Sequence, residues 1–274
     1  MPDGGSSLLG LACPDGRRPR GASHSAAAGR RPVHALVAAL PTPAPPAAMP
    51  LLFLAYLLAA ALAIACTLVW PAQWLAFALL KPLTTALVIV HAWRRGTPGD
   101  ARRSALLTGL GLSLIGDVAL LWPQQGFLPG LVAFLLAHLA YLWAFTRGER
   151  LAALPSAFVA YAAVAGAVLA WLWPGVPGAL RAPVLVYVMA LAAMAAQAAS
   201  VWLSHRGDSG PVLRASTDAT LAARAAAGGA AFMLSDALLA ANRFASPLPA
   251  AALWILASYW AAQWLIASSL AARR

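Results

Sequence analysis

The chain consists largely of apolar stretches that are long enough to cross a lipid bilayer. A helix needs about 20 predominantly apolar residues to span a hydrocarbon core of about 30 Å. Eight stretches qualify, separated by short Pro- and Gly-rich segments, and they cover residues 51–70, 72–92, 104–122, 127–146, 151–173, 180–204, 219–241 and 249–270. Only 10% of the residues are charged, against about 25% in soluble domains. The sequence therefore predicts an all-α, polytopic membrane bundle of about eight transmembrane helices.

The first 48 residues have a different composition from the rest of the chain. They are rich in Gly, Ala, Pro, Ser and Arg and have no sustained apolar period. Such a composition is typical of disorder. We therefore predict a disordered extension over 1–48 and a helical domain over 49–274. Met49 directly precedes the first apolar stretch, which suggests the hypothesis that the extension is a mis-assigned start.

The arginines indicate how the helices are oriented. With eight spans, 16 of the 18 arginines fall on the side that carries both termini, and Arg181 and Arg243 fall on the other. Positive residues favour cytoplasmic loops, so both termini are predicted to be cytoplasmic. The net charge of +11 then reflects topology and contact with anionic headgroups rather than nucleic acid.

Three ionisable residues, Lys81, Asp117 and Asp236, lie inside the apolar stretches. Placing such a group in hydrocarbon costs on the order of 3 kcal/mol, so we expect the three to face one another or a polar cavity. The predicted orientation places them roughly 13, 8 and 9 Å below the extracytoplasmic ends of their helices. Two structural alternatives remain open: Asp117 forms only an ion pair with Lys81, and Asp236 joins a polar helix end with Arg243.

Further polar residues occur at helical spacings on the same apolar stretches. Ser113 lies one turn before Asp117, while Tyr259 and Gln263 form a polar stripe that could line the same cavity. The full set of supporting candidates is Lys81, Ser113, His138, Tyr141, Ser235, Asn242, Tyr259 and Gln263. For Tyr259 and Gln263 the alternative is interhelical hydrogen bonding, worth about 1 kcal/mol each. For His138 the alternative is a hydrogen-bonded packing residue.

Glycines accompany both aspartates and predict close helix packing. Gly109, Gly111 and Gly116 precede Asp117, and Gly228 and Gly229 precede Asp236. Small residues allow membrane helices to approach one another closely. We therefore expect tight contacts around both carboxyl groups.

Several catalytic motifs are missing from the sequence. There is no GxSxG elbow, no phosphate-binding glycine loop and no paired His or Cys spacing that suits a metal. Hydrolysis by a serine nucleophile or by a metal ion is therefore disfavoured, and no cofactor is expected. Cys13 and Cys66 lie in the extension and the first span, so a structural disulfide between them is not expected.

Together these residues resemble the YhhN-like lysoplasmalogenase family of eight-span membrane proteins. The resemblance covers about residues 51–270, and the extension 1–48 has no counterpart in it. It rests on residues whose order and spacing match: Lys81-Pro82, Leu112 to Asp117, Phe134 to Tyr141, Pro183, Tyr187, Met194, Gly229, Phe232 to Phe244, Tyr259 and Gln263.

The resemblance implies hydrolysis of the vinyl ether bond of a lysoplasmalogen, a membrane lysophospholipid. The products are a fatty aldehyde and glycerophosphoethanolamine or glycerophosphocholine. The family's suspected catalytic aspartates map onto Asp117 and Asp236. Two carboxyl groups suit an oxocarbenium-like transition state, as in glycosidases. We expect Asp236 to be the general acid and Asp117 to stabilise the cation and activate water, although the roles could be reversed.

Two other functions remain open from the residues alone. Intramembrane Asp, Lys and His also build the proton relays of ion-coupled transporters, although no inverted repeat is evident. The charges could also hold together a non-catalytic scaffold. Abundant Arg and Ala with a single Lys indicate a GC-rich bacterial genome, and hence a bacterial inner membrane. The sequence leaves the oligomeric state open.

Overall fold

The computed structural model describes residues 51–206 and 212–273, without the side chains of 212–216. The predicted extension 1–48 and Met49 lie outside the described residues. Within them the chain forms eight α-helices and one short 3₁₀ turn, Trp173–Gly175. The helices are α1 Leu51–Leu68, α2 Trp74–Trp93, α3 Ala101–Ala119, α4 Phe127–Phe145, α5 Pro155–Leu172, α6 Gly178–His205, α7 Val212–Phe244 and α8 Ala251–Ala267.

Six of these helices are long and apolar enough to cross a membrane. They are α1, α2, α4, α5, α6 and the Thr217–Phe244 part of α7. Helix α8 is apolar but has only 17 residues, and α3 carries Arg102, Arg103 and Asp117 within 19 residues. The predicted polytopic helical membrane bundle is confirmed, and each predicted stretch corresponds to one helix.

The helices do not always end where the apolar stretches end. Helix α7 begins at Val212, seven residues before the predicted stretch. Helix α3 begins at Ala101, because the Asp100 side chain accepts a hydrogen bond from the backbone N–H of Arg102 at 3.1 Å and caps the first turn. Hydropathy predicts the part of a helix that suits hydrocarbon, whereas capping and helix propensity determine where the helix itself stops.

Consecutive helices pack against one another except α4 and α5, and α8 closes the bundle by packing against α1, α2 and α7. Helix α4 also packs against α6. The largest fully buried side chains are Trp260, Tyr141 and Phe232, which come from α8, α4 and α7. The core therefore lies between α2, α3, α4, α7 and α8, where the predicted polar residues also lie.

Arginines tie together the ends of α2 and α8. Arg103 donates to the carbonyl oxygens of Arg95 and Trp93, both at 2.9 Å. Arg95 donates to Leu270 O at 2.8 Å, and Arg273 donates to Trp93 O at 2.8 Å. The last carbonyls of a helix have no partner within the helix. The arginines predicted to set topology thus also stabilise the helix ends on their side of the bundle.

Two of the predicted glycine contacts hold α3 close to α4. A Cβ atom on Gly109 would lie 2.3 Å from the Tyr141 ring, and one on Gly116 would lie 2.5 Å from the Phe134 ring. The same prediction is wrong for Gly111, where a Cβ atom would meet nothing within 4 Å. Gly111 follows Gly109 by two residues, which is about 200° around the helix, so it faces away from α4.

Candidate active site

Asp117 lies almost fully buried on α3, 1% exposed, and four polar side chains form a cluster around it. Its Oδ1 lies 3.7 Å from the Nζ of Lys81 on α2. Its Oδ2 accepts hydrogen bonds from the Thr85 hydroxyl at 2.6 Å and the Tyr259 hydroxyl at 2.8 Å. The Trp260 indole donates to Thr85 at 3.4 Å. Both carboxyl oxygens of Asp117 thus face donors, as a buried carboxylate requires.

A chain of hydrogen bonds continues from Tyr259 away from the carboxyl group. Gln263 donates to the Tyr259 oxygen at 3.2 Å and accepts from the Tyr141 hydroxyl at 2.8 Å. The Tyr141 oxygen lies 3.2 Å from the Ser113 hydroxyl oxygen. These groups join α3, α4 and α8 and position Tyr259. Ser113, Tyr141 and Gln263 are all fully buried, so they support Asp117 from behind.

Asp236 lies on α7 in a simpler environment. The Tyr187 hydroxyl on α6 donates a hydrogen bond to its Oδ2. Within residues 51–206 and 212–273, this is its one hydrogen bond, and no ion pair joins it to Arg243. The structure therefore contradicts the alternative in which Arg243 is its charge partner. Asp236 is only partly buried, because its side chain borders a cavity.

Both aspartates line one cavity with a volume of about 1080 Å³. Lys81, Tyr187 and Tyr259 also line it, whereas most of its wall consists of apolar side chains from α5, α6, α7 and α8. The cavity extends along α7 from Ala230 to Phe244, which is about 20 Å of helix. The geometry expected from the sequence, two carboxyl groups from the third and seventh helices in one shared pocket, is what the structure shows.

Two apolar residues of the cavity lining are exposed: Val164 on α5 at 57% and Leu234 on α7 at 54%. Helices α5 and α7 contact each other only slightly.

The other supporting candidates have structural partners. Ser235 lines the cavity and donates to the Ile255 carbonyl at 3.0 Å, which ties α7 to α8. Asn242, also in the lining, accepts from the backbone N–H of Leu248 at 2.9 Å and holds the loop that follows α7. These contacts give both side chains a structural role, and any additional role in substrate binding stays a prediction.

His138 lies behind the cavity wall rather than in it. Its ring is fully buried, with its centroid 4.6 Å from that of Phe232 and 5.2 Å from that of Tyr187. In the part of the chain that the structure describes, neither ring nitrogen has a hydrogen-bond partner. Its contact with Tyr187 supports the residue that bonds Asp236. Tyr141 has a different set of partners, and a role of His138 in the site stays a prediction.

Two residues that contact the aspartates were not among the predicted site residues. Thr85 lies one helical turn after Lys81, so the i, i+4 spacing of two polar residues in an apolar helix was the available signal. Tyr187 was named only as one of the residues that carry the family resemblance. A lone tyrosine in an apolar helix gives the same sequence pattern whether its ring only packs or its hydroxyl donates a hydrogen bond. The structure was therefore needed to show that it contacts Asp236.

No group of three or more His, Cys, Asp or Glu residues that could hold a metal occurs within 51–206 and 212–273. The titratable side chains next to the two carboxyl groups are the Lys81 ammonium group and the phenols of Tyr187 and Tyr259. The cavity lining also contains Tyr161 and Arg243. The carboxyl, ammonium and phenol groups can transfer protons and stabilise a positive charge.

The fold and this cavity define a class: an integral, multi-pass helical membrane protein with a carboxyl-containing site inside its bundle. The model of the YhhN family matches residues 76–270. The chain therefore belongs to the YhhN family, as the resemblance in the sequence predicted.

Curated relatives cover most of the same region. The chain is 33% identical to lysoplasmalogenase TMEM86B of Homo sapiens over 72% of this chain and 76% of the relative. It is also 33% identical to TMEM86B of Sus scrofa, over 69% and 72%. A lysoplasmalogenase of Mycobacterium bovis is 33% identical over 69% of each chain. No solved structure matches the chain.

Proposed function

We propose that this protein is an ether hydrolase that cleaves the vinyl ether bond of lysoplasmalogens. The observation that supports this function most directly is that Asp117 and Asp236 line one largely apolar cavity. Relatives named lysoplasmalogenase, aligned over most of the chain, support the same activity. None of these names supports the alternative of an ion-coupled transporter.

The shape of the cavity suits a single-chain lipid. A lysoplasmalogen carries one long alkenyl chain, which needs an apolar channel, and a polar headgroup, which needs access to water. The cavity has apolar walls, and Val164 and Leu234 in its lining are exposed on two helices that contact each other only slightly. In this proposal the substrate enters from the bilayer between α5 and α7, its chain lies along these helices, and the vinyl ether reaches the aspartates.

The hydrogen bonds favour Asp236 as the general acid. Its Oδ2 is occupied by the Tyr187 hydroxyl, while its Oδ1 has no hydrogen-bond partner among the described residues. A proton on Oδ1 can therefore be delivered into the cavity. When it leaves, the Tyr187 hydroxyl stabilises the carboxylate that remains.

Asp117 is suited to the complementary role of an ionised carboxylate. Its Oδ2 accepts two O–H donors, and its Oδ1 faces the Lys81 ammonium. A carboxylate fixed in this way can stabilise a positive charge in an apolar site without reorganisation, which is the form of electrostatic catalysis that contributes most.

The reaction follows from these two roles. Asp236 transfers its proton to the outer alkene carbon, and the inner carbon and ether oxygen share the positive charge beside Asp117. Water adds to the inner carbon and gives a proton back to the carboxylates, forming a hemiacetal. One carboxyl group then protonates the ether oxygen while the other carboxylate accepts the hemiacetal hydroxyl proton, and the bond between the inner carbon and the ether oxygen breaks. A fatty aldehyde and the glycerophospho alcohol leave, and one water has been consumed.

Isotope labels test this route with purified protein and a defined lysoplasmalogen. In D₂O the aldehyde should carry one deuterium on the carbon next to the carbonyl, because that carbon is protonated. In ¹⁸O water the glycerophospho product should contain no label, because its ether oxygen never leaves it. Label in the glycerol oxygen, or no aldehyde at all, would contradict the proposal.

The membrane in which the protein lies, and its orientation there, are inferred from the composition of the sequence. The bias of arginines toward one side supports cytoplasmic termini, and the Arg- and Ala-rich composition supports a bacterial inner membrane. Asp117, near the end of α3, and Asp236, in the last third of α7, then lie in the extracytoplasmic half of the bundle, below the level of the lipid headgroups.

A further inference from the structure

Arg243 is a cation at the mouth of the cavity that the reaction does not use. It lies near the end of α7 and lines the same cavity as Asp236, and its side chain is exposed. It follows Asp236 by seven residues, which is two turns and about 10 Å along the helix axis. Arg243 thus lies on the side of the reacting groups that faces the end of the bundle.

Aromatic rings position the guanidinium group without neutralising it. Its central carbon lies 3.8 Å from the centre of the Phe127 ring and 5.8 Å from that of Phe244. Its one hydrogen bond within the described residues is a long contact of 3.4 Å to the Pro123 carbonyl. An arginine has five N–H donors, so most of them remain available to an anion at the cavity mouth.

We propose that Arg243 binds the phosphate group of the lipid substrate and so selects phosphate-bearing lysolipids. This inference rests on the proposed function. The glycerol backbone separates the vinyl ether from the phosphate, and the two turns between Asp236 and Arg243 provide a matching separation along α7. Arginine pairs with phosphate through two parallel hydrogen bonds. Lys81 cannot serve in its place, because it is 6% exposed and paired with Asp117.

Arg181 provides a matched control at the same end of the bundle. It is also exposed, also donates one hydrogen bond to a carbonyl, that of Val176 at 3.3 Å, and also lies against an aromatic ring, that of Trp173. It is not part of the cavity lining. A general effect of positive charge at this membrane surface would therefore involve both arginines equally.

The test compares two substrates: an alkenyl lysophospholipid and the corresponding alkenyl glycerol, which lacks the phosphate. Aldehyde release gives kcat and KM for each with wild type, R243Q, R243K and R181Q. We compare kcat/KM for the alkenyl lysophospholipid with kcat/KM for the alkenyl glycerol. We expect R243Q to lower the first relative to the second by about tenfold or more, mainly through KM, because a charge-assisted hydrogen bond is lost. R243K should retain part of the preference, and R181Q should retain all of it.

The outcomes separate this inference from the proposed function. If R243Q has the wild-type substrate ratio, or if R181Q lowers it equally, Arg243 does not recognise the phosphate, whereas the hydrolase activity stands. If wild type releases aldehyde from neither substrate, the proposed function fails and the inference fails with it. A partial loss in R243K beside a full loss in R243Q would show that an effect on folding is not the cause.

Discussion

The Tyr187 hydroxyl on α6 donates a hydrogen bond to Asp236 on α7, and both side chains line the same cavity. When Asp236 gives up its proton, this bond stabilises the resulting carboxylate. Tyr187 is therefore a positioning residue for the general acid, and its hydroxyl should affect the chemical step more than substrate binding.

Replacing Tyr187 with Phe removes this hydroxyl and keeps the ring. We expect kcat for aldehyde release to fall about tenfold to a hundredfold with little change in KM, since a hydrogen bond to a charged group is worth about 1.5–3 kcal/mol. Tyr161→Phe is the control, because Tyr161 also lines the cavity but, among the described residues, donates no hydrogen bond to either aspartate. Equal losses in both variants, or a change confined to KM, would argue against this role.

The buried pair of Lys81 and Asp117 should contribute to stability as well as to chemistry. Lys81→Met leaves the Asp117 carboxylate buried without its cation, which costs about 3–5 kcal/mol. The double variant K81M/D117N removes both charges and should recover much of that loss. Thermal unfolding of the two variants in the same detergent measures the difference. A double variant less stable than K81M would show that the pair is not coupled in this way.

Two glycines on α3 allow a direct test of helix packing. Gly109→Ala would place a methyl group 2.3 Å from the Tyr141 ring, which cannot move freely because its hydroxyl is bonded to Gln263. We expect a loss of about 1–3 kcal/mol from overpacking, seen as a lower unfolding temperature. Gly111→Ala meets open space and should not lower it. If both variants behave alike, the close approach of α3 and α4 is in doubt.

The proposed entry of substrate between α5 and α7 predicts a steric effect that depends on the substrate chain. Val164→Trp should narrow this entry and raise KM for long-chain lysoplasmalogens more than for short-chain ones. Val159→Trp, on the same helix and 69% exposed but outside the cavity lining, should leave KM unchanged. Kinetics over a series of chain lengths gives the comparison. An equal effect of both variants would place the entrance elsewhere.

Most of the fold could be predicted from the sequence, because few backbone structures can span a bilayer. Apolar length and the breaks between stretches gave one helix for each predicted segment. The burial cost of charge drew attention to Lys81, Asp117 and Asp236, and the structure brings all three to one cavity. Hydropathy could not give the start of α7, because a helix continues beyond the hydrocarbon wherever its backbone bonds remain favourable.

The partners within the candidate site were harder to predict, because they depend on how helices rotate against each other. Nothing in the sequence around Thr85, Tyr187 or Arg243 by itself marks these residues as part of a site. The packing of α2, α6 and α7 brings the first two to the aspartates and Arg243 to the cavity mouth. In the same way, Ser113, Tyr141 and Gln263 were grouped correctly as polar residues of the bundle, yet they lie behind the cavity wall. Helical spacing alone does not distinguish residues that line the cavity from residues buried behind its wall.

Aldehyde release from Asp236→Asn shows whether Asp236 supplies the proton that starts cleavage. The variant keeps the size of the side chain and loses its acid, so folding can be checked by an unchanged unfolding temperature. General acid catalysis contributes about a hundredfold to ten-thousandfold. Purified D236N should therefore release aldehyde from a lysoplasmalogen more slowly than wild type by a factor in that range. A folded D236N that turns over at the wild-type rate would show that Asp236 is not the general acid.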